Sequence, residues 1–322
     1  MEMMSAPPSP RLALGPLPYY WPRQTTLAFY AGIADGPVDL VYLGETVCAR
    51  RHELRFEDWL DVAQMLATAG KTPVLSTLAL IESESDLKLL RKLVARGEFA
   101  IEANDMAAVR LLAEAGRRDW IAGPSLNVFN PHTLALLRDW GACGWVVPPE
   151  LSGAALSALL DQLPTTRTAT PDEATTDHRP PFTTEVLAWG RLPLAHSARC
   201  FTARHFNLQK DTCEFRCLGL ADGLPLATRE GEPFLTLNGV QTQSARIHNL
   251  LGDLDAVTRR ADVLRIQPQG SHTPEVIALF DDVRRGRLSA ADAFAASHPL
   301  LSGQSPCNGF WHGRAGLELH AA

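Results

Sequence analysis

The chain is 322 residues long, 46% hydrophobic and 20% charged, with a formal net charge of −6. This composition describes a globular protein with a sizeable core, in one large domain or two ordinary ones. The acidic balance argues against a nucleic-acid protein held by bulk electrostatics, and no run of about 18 apolar residues predicts a membrane span.

Residues 1–24 read as a loose N-terminal arm. Pro7, Pro8 and Pro10 interrupt any period, and no cationic start followed by an apolar run marks a secretory signal. A cytoplasmic, reducing location is therefore expected, which favours free thiolates over disulfides. Residues 27–33 and 40–47 read as strands. Residues 56–69 read as a helix, with Trp59, Leu60, Val62, Ala63 and Leu66 on one face and Gly70 as its stop. A strand is predicted over 73–80, and a helix over 83–96 with Ser83 as N-cap and Asp86 completing a capping box. The alternation continues with a strand over 99–103, a helix over 106–115 ended by Gly116, a strand over 121–128 and a helix over 131–140 that begins with Pro131. A strand over 144–148 and a helix over 153–163 follow.

Residues 164–181, rich in Thr, Pro and Asp, read as a flexible loop. A strand is predicted over 185–189. Residues 232–237 read as a strand inside an inserted excursion, 247–254 as helical, 262–266 as a strand and 273–285 as a helix. Residues 291–322 read as a C-terminal helix and tail. About eight strand–helix units predict a TIM-like (β/α) barrel over 25–290, carrying an inserted cysteine-bearing segment at 197–220. An open doubly wound sheet is the alternative. No Gly-x-Gly-x-x-Gly turn and no Walker motif follows a strand, which argues against a dinucleotide site.

Six cysteines are present, and three of them, Cys200, Cys213 and Cys217, fall within 18 residues. Thiolates are soft ligands, and a cysteine-only set suits zinc or an iron–sulfur cluster. Zinc ribbons hold tight Cys-x-x-Cys pairs, and none occurs here. A twelve-residue gap, a three-residue gap and one remote ligand fit a cluster inside a larger fold better. Buried structural thiols and disulfides are the competing readings. The neighbours Arg199, Arg204, His205, Lys210, Asp211 and Arg216 are not a core composition. In a barrel, chemistry sits at the C-terminal ends of the strands. Cys48 follows the second predicted strand and Cys200 lies beyond the strand that ends near Trp189, so one mouth can receive both. Cys48 is therefore the candidate fourth ligand. Cys143 reads as an ordinary buried residue, and Cys307 is open.

Other candidates are weaker. His52-Glu53 resembles the start of a zincin helix but lacks the second histidine. Ser125 and Ser197 have no nucleophile-elbow context. Glu45 and Arg50 flank Cys48 and share its rim. His205 and Asn207 lie between the cysteines and read as a polar loop. Trp145, Trp189 and Phe129 read as core.

Glu185-Val186-Leu187-Ala188-Trp189-Gly190-Arg191-Leu192-Pro193, then Ser197-Ala198-Arg199-Cys200, then Cys213-x-x-x-Cys217, resembles the signature of the collagenase-like peptidase family U32. The segments 42–48, 198–204, 238–242 and 308–313 resemble the branch of that family that works in ubiquinone biosynthesis. Many family members carry a cysteine where this chain has Pro193. The resemblance implies a TIM-barrel-like protein with a 4Fe-4S cluster held by Cys48, Cys200, Cys213 and Cys217. It implies a heterodimer with a UbiU-like homologous subunit, a UbiT-like lipid-carrier protein as third component, and a polyprenylated aromatic quinone precursor as substrate. The implied activity is oxygen-independent hydroxylation in anaerobic ubiquinone biosynthesis, with prephenate as oxygen donor. An electron-relay or structural role, with catalysis in the partner, is the alternative. RNA base hydroxylation fits the family but not the charge or Pro193, and peptidase activity is not expected.

Overall fold

The computed structural model describes residues 9–163 and 182–320. The first strand, β1 (Arg11–Leu14), is followed by α1 (Arg23–Ala34), β2 (Leu40–Leu43), α2 (Phe56–Thr68), β3 (Thr72–Ser76), α3 (Glu84–Ala95) and β4 (Ala100–Ala103). Then come α4 (Met106–Glu114), β5 (Trp120–Ala122), α5 (Pro131–Asp139), β6 (Ala142–Val146), α6 (Gly153–Asp161) and β7 (Thr183–Gly190). An excursion holds β8 (Pro193–His196), α7 (Phe201–His205), β9 (Leu224–Ala227), β10 (Pro233–Asn238) and β11 (Gln241–Ser244). The chain returns through β12 (Ile247–Asn249), α8 (Leu254–Val257), β13 (Val263–Ile266), α9 (Thr273–Arg284), α10 (Ala290–Ala296) and β14 (Pro306–Cys307).

Strands β1 to β7 run parallel in chain order, and β13 pairs in parallel with both β7 and β1, so eight strands close into a ring. The fold is an α/β TIM-barrel-like barrel, as predicted. Strand β12 adds antiparallel to the end of β7, and β14 adds to β12. The excursion forms a separate antiparallel sheet in the order β8-β11-β10-β9. It lies between β7 and β12 and is the inserted segment that carries the cysteines.

Alternation along each strand separates two apolar layers. Leu12, Val41, Leu75, Ile101, Trp120, Trp145 and Leu264 face the helices, where Tyr30, Leu66, Leu112, Leu156 and Phe280 meet them. Ala13, Tyr42, Val74, Ile121, Val146 and Val263 face inward and form a second cluster, with Cys143 packed against it. Local chemistry starts the helices where the sequence indicates. Ser83 Oγ accepts the Asp86 N–H at 3.2 Å while Asp86 accepts the Ser83 N–H at 3.0 Å. Asp105 Oδ1 accepts the Ala107 N–H at 2.7 Å and Asn130 Oδ1 the Thr133 N–H at 2.8 Å, simple caps for α4 and α5.

Three expectations differ from the structure. Residues 27–33 are helix, not strand. Thr26, Tyr30 and Ile33 are the buried positions of α1, a helical spacing, and the helix starts directly after Pro22. The first barrel strand is β1, which lies in the proline-rich stretch read as part of the 1–24 arm. Four residues between Pro10 and Pro16 suffice, because a parallel barrel strand needs only a short ladder flanked by its two neighbours. Residues 247–254, read as helical, begin as strand β12 and turn helical only from Leu251, in a short 3-10 helix (Leu251–Asp253) that leads into α8. Asn249 Oδ1 takes the Leu251 N–H at 3.0 Å, which ends β12 and opens a tight turn before α8. The stretch 164–181, read as a flexible loop, lies outside the described residues.

Two buried groups contribute to the acid response of the fold. His248 on β12 is 3% exposed, and burial lowers its pKa from 6.5 to about 4. Asp281 is also buried, which alone would raise its pKa, but Arg287, Arg285 and Arg284 hold it down at about 2. Both folded-state values lie below the unfolded ones, so in each case the unfolded chain takes up the proton first. Stability is expected to fall as pH drops from 6.5 to about 4, by about 3 kcal/mol from His248 alone, and to fall again from 3.8 towards 2 through Asp281. Urea melts as a function of pH measure both limbs. A His248→Gln variant that keeps the upper limb unchanged would show that another group causes it.

Candidate functional site

The cysteines come from separate elements. Cys48 lies in the loop after β2. Cys200 stands at the start of α7, where its Sγ accepts the Ala203 N–H at 3.4 Å. Cys213 follows a short 3-10 turn (Lys210–Thr212), and Cys217 sits inside another (Arg216–Gly219). The structure brings all four to the wall of one cavity, together with Arg50, Arg51, Thr202, Lys210, Phe215 and Gly239. Cys143 and Cys307 lie elsewhere, in the barrel interior and on β14, and burial pushes the Cys307 thiol up to about 12.

The loop carrying Cys48 is built by its neighbours. Gly44 has φ +116°, and a Cβ there would sit 2.8 Å from the Ser76 carbonyl oxygen, so only glycine lets the chain leave β2 along this path. Glu45 Oε1 then accepts the N–H groups of Val47 at 2.9 Å and Cys48 at 3.0 Å, and Arg51 Nη1 stands 3.5 Å away. Burial raises the Glu45 pKa, opposed by Arg51 and those two N–H groups. Arg50 Nη2 donates to the Asp211 carbonyl oxygen at 2.8 Å, tying this loop to the segment that carries Cys213. Lys210 pairs with Glu82 and donates to the Ala198 carbonyl oxygen at 3.1 Å.

Between Cys213 and Cys217 the backbone is unusual. Glu214 and Phe215 both take the left-handed conformation, with φ +51° and +50°. Two consecutive non-glycine residues there carry strain, which the surroundings must hold. Phe215 is held by Tyr20 and His52, its ring centroid 6.0 and 6.1 Å from theirs. The result is a tight turn that presents both cysteines to the same cavity.

Burial pushes the Cys48 thiol up to about 11 and also raises Cys217, opposed at both by the Arg51 guanidinium. Arg51 has a side chain only 1% exposed. Its burial works against the charge, yet Glu45, Cys217 and Cys48 raise its pKa above the usual value. Its Nη1 donates to the Pro18 carbonyl oxygen at 2.6 Å and its Nη2 to Asn238 Oδ1 at 2.7 Å. The Nε atoms of Arg50 and Arg51 are buried without a partner.

A set of four thiols is of the chemical type that zinc or an iron–sulfur cluster takes. Four thiols share one cavity, and Arg50 and Arg51, each with a buried unpartnered Nε, belong to its wall. No group of three or more His, Cys, Asp or Glu side chains among the described residues is gathered tightly enough for one metal ion.

Beside this cavity, at the C-terminal ends of the barrel strands, lies a second, polar recess. Asn104, Arg191 and Gln267 follow β4, β7 and β13, and the inserted sheet adds His196, Gln241 and Gln243. Its floor is an ionic layer. Arg265 on β13 pairs with Glu102 at 2.8 Å and Glu185 at 2.5 Å and lies 3.9 Å from the Tyr42 ring centroid. The Tyr42 hydroxyl donates to Glu185 at 2.6 Å, and Ser76 and Asn104 donate to Glu102. Arg191 is different. It is 4% exposed, donates to the Ser244 and Ala245 carbonyl oxygens, keeps a buried unpartnered Nε, and pairs with no carboxylate among the described residues.

Sequence reasoning missed this recess and its floor. The available signal was a charge at an inward position of a short strand: Glu102 in β4, Glu185 in β7 and Arg265 in β13. His205, read with Asn207 as a polar loop, instead ends α7, both are exposed, and Phe129, read as core, is 44% exposed.

A closed eight-stranded barrel with a sulfur-lined cavity and a polar recess at one mouth defines the class of fold and site. No family model matches the chain. The structure is similar to that of the U32 peptidase Mk0906 at 14% identity, with a TM-score of 0.44 and coverage of 84% of this chain and 97% of that one. It is also similar to dihydropteroate synthase from Thermus thermophilus at 13% identity, TM-score 0.36, covering 85% and 94% of the two chains. The spore cortex-lytic enzyme SleL of Bacillus megaterium matches at 10% identity, TM-score 0.40, covering 86% and 75%. No helix among the described residues is long and apolar enough to cross a membrane.

Proposed function

We propose that this chain is the iron–sulfur subunit of an oxygen-independent hydroxylation system in anaerobic ubiquinone biosynthesis, the role of the ubiquinone biosynthesis protein UbiV, which its motifs resemble. The observation that carries the reading is the convergence of Cys48, Cys200, Cys213 and Cys217 on one cavity from loops about 150 residues apart in sequence. Four thiolates would hold a 4Fe-4S cluster there, which supplies one-electron chemistry when bound. Arg51, buried against Cys48 and Cys217, would offset the negative charge of the thiolates.

The resemblance names prephenate, a dicarboxylate, as oxygen donor. Arg191 supports that assignment, since a buried guanidinium without a carboxylate partner suits an anionic ligand at the mouth. Four protein ligands leave no open iron position, which favours electron transfer over direct substrate ligation. A UbiU-like homologous subunit supplies the second redox centre, and a UbiT-like carrier delivers the polyprenylated ring. A cell lacking this gene is expected to make ubiquinone in air and to fail without oxygen, and a Cys213→Ala copy should not restore it. Normal anaerobic ubiquinone in that cell would remove the assignment.

A further inference from the structure

A cavity of about 330 Å3 opens between α2 and α3, on the far side of the Cys48 loop from the cysteines. Its walls are Leu54, Trp59, Leu60, Leu78, Ile81 and Leu90, and Leu89 stands 45% exposed at its rim. Of its polar lining, Arg51, Ser76 and Thr77 are buried and Glu45 is half-buried, whereas His52 and Arg55 are exposed. Arg51 also walls the cysteine cavity, so the two spaces share one side chain as a partition.

Helices on a barrel normally interdigitate at close-packed density, and apolar wall left facing water is costly. Water is a poor occupant along walls that offer it no hydrogen bonds. The volume and the pairing of apolar walls with a few convergent polar groups are those of small-molecule sites. We infer that this cavity binds a single elongated apolar chain, prenyl or acyl, with its polar end at Glu45 and Arg51. A prenyl occupant would rest on and deepen the quinone reading, whereas an acyl one would stand apart from it, and neither needs iron.

The test is titration of the purified protein with cis-parinaric acid, followed by displacement with geranylgeraniol or with stearate. Saturable one-to-one binding is expected. Displacement by geranylgeraniol alone assigns a prenyl chain, and by stearate alone an acyl chain. Leu78→Trp, which fills the cavity, is expected to weaken binding at least tenfold. Leu89→Asp, at an exposed position that folding does not depend on, should weaken it severalfold with an unchanged melting temperature, and Leu136→Asp on α5 should leave it alone. Absence of saturable binding by wild-type protein, or equal binding by wild type and both cavity variants, overturns the inference.

Discussion

Protein purified without oxygen is expected to be brown and to hold about four iron atoms and four sulfides per chain. Each of Cys48→Ala, Cys200→Ala, Cys213→Ala and Cys217→Ala should lose most of that iron, while Cys143→Ala and Cys307→Ala keep it. The contrast follows from placement, since the first four side chains line one cavity and the other two do not. Loss of the cluster should also lower the melting temperature, because anything bound only by the folded state stabilises it. The strained turn at Glu214 and Phe215 is where loosening should begin, seen as faster amide exchange over 213–217. One equivalent of zinc and no iron after anaerobic reconstitution would rule out the cluster, as would full iron content in the Cys213→Ala protein.

The largest stability loss from one substitution is expected at Arg265. Its guanidinium is the sole cation paired with Glu102 and Glu185 among the described residues, and all three side chains are at most 3% exposed. An Arg265→Met change keeps the volume and strands two carboxylates inside the barrel. Removing one partner of a buried ion pair costs roughly 3–5 kcal/mol, a large share of the ~5–15 kcal/mol by which a domain is stable. Adding Glu102→Gln and Glu185→Gln to the same protein should recover part of the loss, because neutral amides tolerate burial better than unpaired charges. Urea denaturation midpoints of the single and triple variants provide the measurement. A single variant within about 1 kcal/mol of wild type would mean that water or neighbouring donors satisfy the carboxylates unaided.

Much of the barrel was legible because its helices announce themselves. Ser83 with Asp86, and Pro131 early in its helix, mark starts, and Gly70 and Gly116, with φ +80° and +66°, mark stops. These are local signals, complete within a few residues. The cysteine spacing was legible for the same reason, and Cys48 could be added once its strand was placed. The first strand was not legible, since Arg11–Leu14 becomes a strand only through β13 and β2 on either side. Nor was the pairing of Glu102, Glu185 and Arg265, which depends on which barrel strands face each other across the interior. The recess around Arg191 required the inserted sheet to fold back over the mouth, a placement that no local pattern encodes.

The order of the ring has a consequence for how the protein is made. Cys48 leaves the ribosome after the second strand and Cys217 only after the seventh, while β13, which joins β7 to β1, is synthesised later than any of the four cysteines. All four sulfurs are therefore outside before the ring that gathers them can close. A cofactor that needed all four would gain its full ligand set only once β13 closes the ring, so its retention would be timed by that last pairing.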